Sequence, residues 1–187
     1  YDIAETKNWK WFENYLTYAN SVLPEAMLYS YLVTGKLKYK RVAIDSFNFL
    51  LSKLFFENQF KVISNNGWFH KGITSNNYGE QPIDVSYTIQ TLELFYNTTK
   101  NVKYKNYQKK AFNWFLGKNH LNQTMYNPIT GGCYDGLEET HVNLNQGAES
   151  TICYLIARLI MENETVLAPK YIRNRRLRKQ FKIENNI

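Results

Sequence analysis

The sequence predicts an all-α protein of αα-hairpin repeats, forming an (α/α)6-type toroid or about half of one. The first observation is a short motif that occurs twice: Gln81 and Gln146 each stand three residues before an acid, Asp84 and Glu149. The second is that the repeat, with an offset of 65 residues, extends well beyond this motif. Periodicity longer than one helix is typical of supersecondary units that bury their faces by stacking on neighbours.

Each predicted helix follows from hydrophobic spacing and from its boundary signals. Residues 9–19 carry aromatics at helical spacing, residues 25–33 follow Pro24 and end at Gly35, and residues 39–56 carry an apolar stripe. Pro82 starts a helix that runs to about residue 97, and residues 105–116 form the helix that packs back against it. Residues 146–161 form the first helix of the third hairpin. The C-terminal tail, residues 164–187, is the candidate second helix of the third hairpin. We expect six or seven helices, and no β-sheet beyond one short ribbon in the loop 117–144.

Composition favours one globular domain. The chain has 187 residues, of which 44% are apolar and 16% aromatic, enough for a substantial core. No apolar run reaches the roughly 18 residues of a spanning helix, so no membrane span is expected. Cys133 and Cys153 do not make a disulfide framework, which favours a reducing compartment and a cytoplasmic location.

The positive charge is concentrated at the end of the chain. Of the formal net charge of +7, residues 1–163 carry +2 and residues 164–187 carry +5. The folded body is therefore not expected to bind nucleic acid. Two interpretations of the tail stay open: a solvated terminal helix, or a segment that binds phosphate groups of a lipid, RNA or nucleotide.

The two repeated acids are the candidate catalytic residues. Asp84 and Glu149 lie in first helical turns, where free N–H groups and the helix dipole favour the ionised carboxylate. This predicts a base, or an anchor for sugar hydroxyls, better than a general acid. The alternative is that both acids only stabilise helix starts, although the dipole does not require a Gln three residues earlier.

Parallel neighbouring helices would hold the two carboxylates about 8–10 Å apart. That separation leaves room for a water between an acid and a base, as in inverting glycoside hydrolysis. If the protein is a hydrolase, the sequence predicts inversion.

Side chains near the two acids are suited to binding a sugar. Trp68 and Tyr134 are candidates for stacking on a pyranose face, and Gln81, Asn143, Asn145 and Gln146 for hydrogen bonds to hydroxyls. The alternative is that the aromatic residues only hold their own loops in place.

His141 is a candidate acid–base group near neutral pH, or simply a solvated loop residue. No His, Cys or Asp cluster has metal-ligand spacing, and no glycine-rich turn between a strand and a helix would hold a nucleotide. We therefore expect neither a metal nor a cofactor.

Several motifs resemble a known family. They include Trp11-Phe12-Glu13, Gly67-Trp68, Gln81-Pro82, Trp114-Phe115-Leu116-Gly117-x-Asn119, Gly131-Gly132-Cys133-x-Asp135-Gly136-Leu137 and Asn143-x-Asn145-Gln146-Gly147-Ala148-Glu149-Ser150-Thr151. Together they resemble a bacterial and archaeal six-hairpin, glycosidase-like toroid domain, often found as the C-terminal region of proteins labelled glycosyltransferases.

The resemblance implies a carbohydrate-related fold of which residues 1–163 supply the C-terminal half, with an N-terminal glycosyltransferase or toroid half as possible partner. It also makes Glu13 the candidate general acid and adds Asp135 to the substrate-binding residues. The predicted function is glycan binding at helix N-termini, with inverting hydrolysis or assistance to glycosyl transfer. The alternative is a non-catalytic helical scaffold or glycan-binding module.

Overall fold

The computed structural model describes residues 1–56 and 59–162. Within them, five helices occur in the order α1 (Val22–Thr34), α2 (Leu37–Leu54), α3 (Pro82–Thr99), α4 (Val102–Phe115) and α5 (Ala148–Glu162). Six two-residue strands accompany them: β1 (Tyr15–Leu16), β2 (Phe55–Phe56), β3 (Gln59–Phe60), β4 (Phe69–His70), β5 (Gly136–Leu137) and β6 (Val142–Asn143). The strands form three antiparallel ribbons, β1 with β4, β2 with β3 and β5 with β6.

The predicted all-α fold class is wrong. The structure is 49% helical and 11% strand, a mixed α/β arrangement rather than an all-α repeat array. Residues 9–19 are not a helix: they form bends and strand β1, whose partner β4 lies far along the chain. Trp9, Trp11 and Leu16 are buried there, and Trp9 and Trp11, two residues apart, would not point to the same face of a helix.

Helix α3 lies at the centre of the helical layer. It packs against α1, α4 and α5, and α1 packs against α2. The core between these helices is aromatic: the rings of Phe47 and Phe95 are 4.4 Å apart and both side chains are fully buried. On the other side of α3, the Ser86 hydroxyl donates to the Cys153 carbonyl of α5 at 2.8 Å. The starts of α3 and α5 therefore lie side by side.

The connection between α1 and α2 has the same conformation as that between α3 and α4. Gly35 (φ 73°) and Lys100 (φ 59°) are both left-handed, and each donates its N–H to the carbonyl four residues earlier at 2.7 Å. Each is followed by one residue before the next helix begins. The local repeat seen in the sequence is thus a repeat of backbone geometry at these turns.

The similar turns at Gly35 and Lys100 allow a matched test of stability. Replacing Gly35 by Ala is expected to lower the free energy of unfolding by about 1 kcal/mol, because a Cβ strains left-handed backbone. The added Cβ would meet nothing within 4 Å, so strain is the only cost. The reciprocal Lys100→Gly change is expected to be close to neutral, since relief of strain offsets the entropy of a glycine. Urea unfolding measures both, and an unchanged Gly35→Ala variant would contradict the argument.

No helix within residues 1–56 and 59–162 is long and apolar enough to cross a membrane. The basic tail 164–187, with the predicted second helix of the third hairpin, lies outside the described residues.

Candidate functional site

A polar cavity of about 360 Å³ opens at the starts of α3 and α5. Its lining comes from the loop after β3, the start of α3, the β5–β6 ribbon and the start of α5. The side chains that line it include Asn65, Gln81, Asp135, Glu138, Asn143, Glu149 and Ser150. The structure therefore brings together four of the predicted residues, Gln81, Asp135, Asn143 and Glu149.

Backbone pairing holds the start of α3 against the β5–β6 ribbon. Glu80 donates its N–H to the Leu137 carbonyl at 3.0 Å and accepts from the Leu137 N–H at 2.9 Å. Pro82 then begins the helix, a position where its missing N–H costs nothing. Gln81 is placed in the cavity wall by these two constraints.

Asp135 holds the start of α5. Its carboxylate accepts hydrogen bonds from the Gly147 N–H at 2.8 Å and from the side chains of Asn145 and Ser150. Burial opposes ionisation, but these three hydrogen bonds outweigh it and lower the pKa of Asp135. A Cβ at position 147 would lie 3.0 Å from the carboxylate, so a larger residue there would make Asp135 move by a few tenths of an ångström. Asp135 therefore fixes the start of α5 in place and also lines the cavity.

Asp84 is only 6% exposed. Its Oδ1 accepts a hydrogen bond from the Ala19 N–H at 2.6 Å, and Ala19 adopts a left-handed conformation (φ 52°). Burial raises the pKa of Asp84 to about 7; the hydrogen bond from Ala19 opposes this rise and the charge of Glu149 adds to it. Desolvation therefore outweighs the N-terminal position, and this carboxyl keeps its proton to a higher pH than its place at a helix start predicts.

Glu149 is the solvent-exposed member of the acid pair. It occupies the first turn of α5 and lines the cavity, whereas Asp84 is buried in the first turn of α3 and does not line it. The two carboxyl groups are close enough for the charge of Glu149 to affect the titration of Asp84. The helix starts that carry the two acids are neighbours, but only Glu149 lines the cavity.

Trp68 does not line the cavity. Its ring is 6.1 Å from that of Tyr18, which is 59% exposed, and Tyr18 precedes the Ala19 that binds Asp84. Trp68 is half-buried and left-handed (φ 55°). Tyr134 is also half-buried and packs against the hydrophobic core, so less of its ring surface is available to contact a ligand.

Four other predicted residues do not line the cavity. Glu13 is exposed on the non-helical segment, where its carboxylate accepts from the Tyr15 hydroxyl at 3.2 Å. His141 is exposed in the turn between β5 and β6. Gln146 packs over Gly132 and accepts from the Thr130 hydroxyl at 2.5 Å, and Asn145 is engaged by Asp135.

The sequence assigned no role to Asn65, Glu138 or Ser150, which line the cavity, or to Glu80 and His120, which contact one another outside the lining. Glu80 is 2% exposed and accepts from the Trp114 indole N–H at 2.8 Å. Ser150 stands in the last of the resembling motifs and Glu80 immediately precedes the repeated Gln81, but the sequence pattern assigned neither residue a role of its own.

Within the part of the chain that the structure describes, no group of three or more His, Cys, Asp or Glu could hold a metal ion.

Comparison with protein-family models finds no match for this chain, and comparison with curated proteins finds none either. The six-hairpin resemblance stays a prediction, and a functional proposal has to rest on the residues of the site.

Proposed function

We propose that the protein binds a carbohydrate in this cavity and hydrolyses a glycosidic bond, with Asp84 as general acid and Glu149 as general base. The observation that carries the proposal is the buried, proton-retaining Asp84 beside an exposed Glu149 in the cavity wall. A pair of carboxyl groups in different environments is how glycosidases divide the acid and base roles.

Asp84 has the raised pKa that a general acid needs; because it is buried and does not line the cavity, the proposal requires that it reach the sugar when the site is occupied. A pKa of about 7 leaves much of the carboxyl protonated near neutral pH, where proton donation to a leaving oxygen is most effective. Glu149, in contact with solvent, is placed to activate a water. Axes of packed helices lie about 8–10 Å apart, and carboxylates from neighbouring first turns then leave room for that water. Inversion of the anomeric carbon is the expected stereochemistry.

The cavity lining supports binding of a sugar that carries no negative charge. Asn65, Gln81 and Asn143 offer amide donors and acceptors for hydroxyl groups. Asp135, Glu138 and Glu149 add three acids, and the described residues that line the cavity include no Lys, Arg or His. Neutral sugars or amino sugars fit this charge, whereas uronic acids and sugar phosphates would be repelled.

The family resemblance extends the proposal to a wider context. A glycosyltransferase segment of the same protein is its proposed partner, and assistance to glycosyl transfer is an alternative use of the same cavity. We propose a cytoplasmic setting because both cysteines, Cys133 and Cys153, are free thiols buried in the fold.

The test compares three variants of the full chain on a panel of neutral oligosaccharides, with uronic-acid-bearing ones as controls. Asp84→Asn and Glu149→Gln are expected to lose about 10²–10⁴-fold in turnover while sugar binding persists. Glu162→Gln, at the other end of α5, changes an equally exposed Glu and should keep the parental rate. NMR of the first-formed product is expected to show the inverted anomer.

One observation favours a second function, glycan binding without catalysis. Asp84 is nearly covered and holds the Ala19 N–H, which is also what a purely structural acid would do. Binding of neutral glycans with no hydrolysis by the parent protein would support that function. Equal turnover by the parent, Asp84→Asn and Glu149→Gln would overturn the catalytic assignment.

A further inference from the structure

His120 bridges two parts of the cavity wall. Its Nε2 lies 2.8 Å from the Glu138 carbonyl oxygen and 3.2 Å from that of Glu139, in the turn of the β5–β6 ribbon. A carbonyl oxygen can only accept a hydrogen bond, so Nε2 must carry a proton. In a neutral imidazole the other nitrogen, Nδ1, would then have a bare lone pair.

Nδ1 faces a carboxylate. It lies 3.7 Å from Oε1 of Glu80, which is 2% exposed. A lone pair directed at a buried carboxylate is repulsive, whereas a proton on Nδ1 makes the same contact an ion pair. The geometry on both sides of the ring therefore favours the doubly protonated, cationic form.

Glu80 itself is fixed in place. Its Oε2 accepts from the Trp114 indole at 2.8 Å and from the Val62 N–H at 3.4 Å. The Tyr78 ring also packs near His120, with 5.0 Å between the ring centroids, and the Lys61 ammonium lies 4.8 Å from the centre of the Tyr78 ring. The carboxylate is thus a rigid counter-ion that does not turn away when the imidazole changes charge.

We infer that cationic His120 is a positioning residue: it holds the turn of the β5–β6 ribbon, and with it the cavity residue Glu138, against the buried carboxylate of Glu80. Glu80 in turn precedes Gln81, so one imidazole ties together two walls of the cavity. The inference depends on the proposed function only for the identity of the ligand that the cavity binds. Its test needs no ligand, so it can fail while the proposed function stands.

The arrangement makes the ribbon sensitive to pH. The contact with Glu80 raises the pKa of His120 above 6.5, burial opposes this rise, and the Glu138 and Glu139 carbonyls add to it. A His whose pKa is raised on folding stabilises the fold fully below its unfolded pKa and loses that effect as pH rises through its folded pKa. The ribbon should therefore be held more firmly near pH 6 than in alkaline solution.

Amide hydrogen exchange of residues 136–143 measures this directly. In the parent protein, protection corrected for intrinsic exchange rates should fall several-fold between about pH 6 and about pH 9. His120→Gln should abolish that step. His141→Gln, which changes an exposed histidine in the same ribbon, should keep it. The same step in the parent and His120→Gln would overturn the inference.

A second measurement uses only the parent protein, in case His120→Gln fails to fold. The imidazole resonances of His120 are expected to titrate above the unperturbed value of 6.5. Titration at or below that value would also overturn the inference, since the imidazole would then be neutral when the ribbon is held.

Discussion

Replacing Asp84 by asparagine should raise the free energy of unfolding at about pH 8 by a few kcal/mol, at most about 4. The pKa of Asp84 is raised by burial from 3.8 to about 7. Below the unfolded value both states are protonated and the group has no effect on stability. As pH rises from there through the folded value, the folded state keeps a proton that the unfolded state releases, so stability falls. Above it, a buried charge remains.

Asparagine removes that charge while retaining the local contact, because its side-chain oxygen can still accept from the Ala19 N–H. Urea unfolding at about pH 4 and about pH 8 should show a loss of stability in the parent that is smaller in Asp84→Asn. Asp2→Asn, at an exposed aspartate, is the control and should change stability by less than about 0.5 kcal/mol. An Asp84→Asn variant less stable than the parent at the higher pH would contradict this account. A costly acid that the fold retains is consistent with a catalytic role.

Replacing Glu80 by alanine should lower the free energy of unfolding by about 3–5 kcal/mol. The change leaves the Trp114 indole and the Val62 N–H without their acceptor and His120 without its counter-ion. Unsatisfied buried donors cost much more than the hydrogen bonds themselves contribute.

Glu80→Gln is the matched variant, since its amide oxygen can still accept from Trp114 while the charge is lost. Its cost should be about half as large, or about 1–3 kcal/mol. Glu139→Ala removes an exposed side chain from the neighbouring ribbon and should be close to neutral. Thermal or urea unfolding ranks the three, and equal stability of Glu80→Ala and Glu139→Ala would refute the role given to this carboxylate.

The five helices could be predicted because their signals are local. Gly35 ends α1 in a left-handed conformation, Pro82 begins α3, and apolar spacing marks the segments between. The first segment could not be predicted in the same way. Its strand β1 pairs with β4, more than fifty residues away (Tyr15 with His70), and aromatic spacing within residues 9–19 carries no information about that partner. The fold class was wrong for this reason.

The candidate site shows the same difference between local and long-range signals. Gln81 and Glu149 could be predicted because a motif at two helix starts is visible in one sequence. The protonation of Asp84 could not be predicted, because it depends on burial by residues distant in the sequence, such as Ala19. Nor could the pairing of His120 with Glu80, which joins two loops separated by the whole α3–α4 hairpin.

The two-residue turns at Gly35 and Lys100 have a consequence for the order of folding. Each joins helices adjacent in sequence, so the α1–α2 and α3–α4 hairpins close short loops at little entropic cost. The cavity combines residues from Asn65 to Ser150 and closes much longer loops. Its wall should therefore assemble after the transition state, and damage there would chiefly accelerate unfolding rather than slow folding.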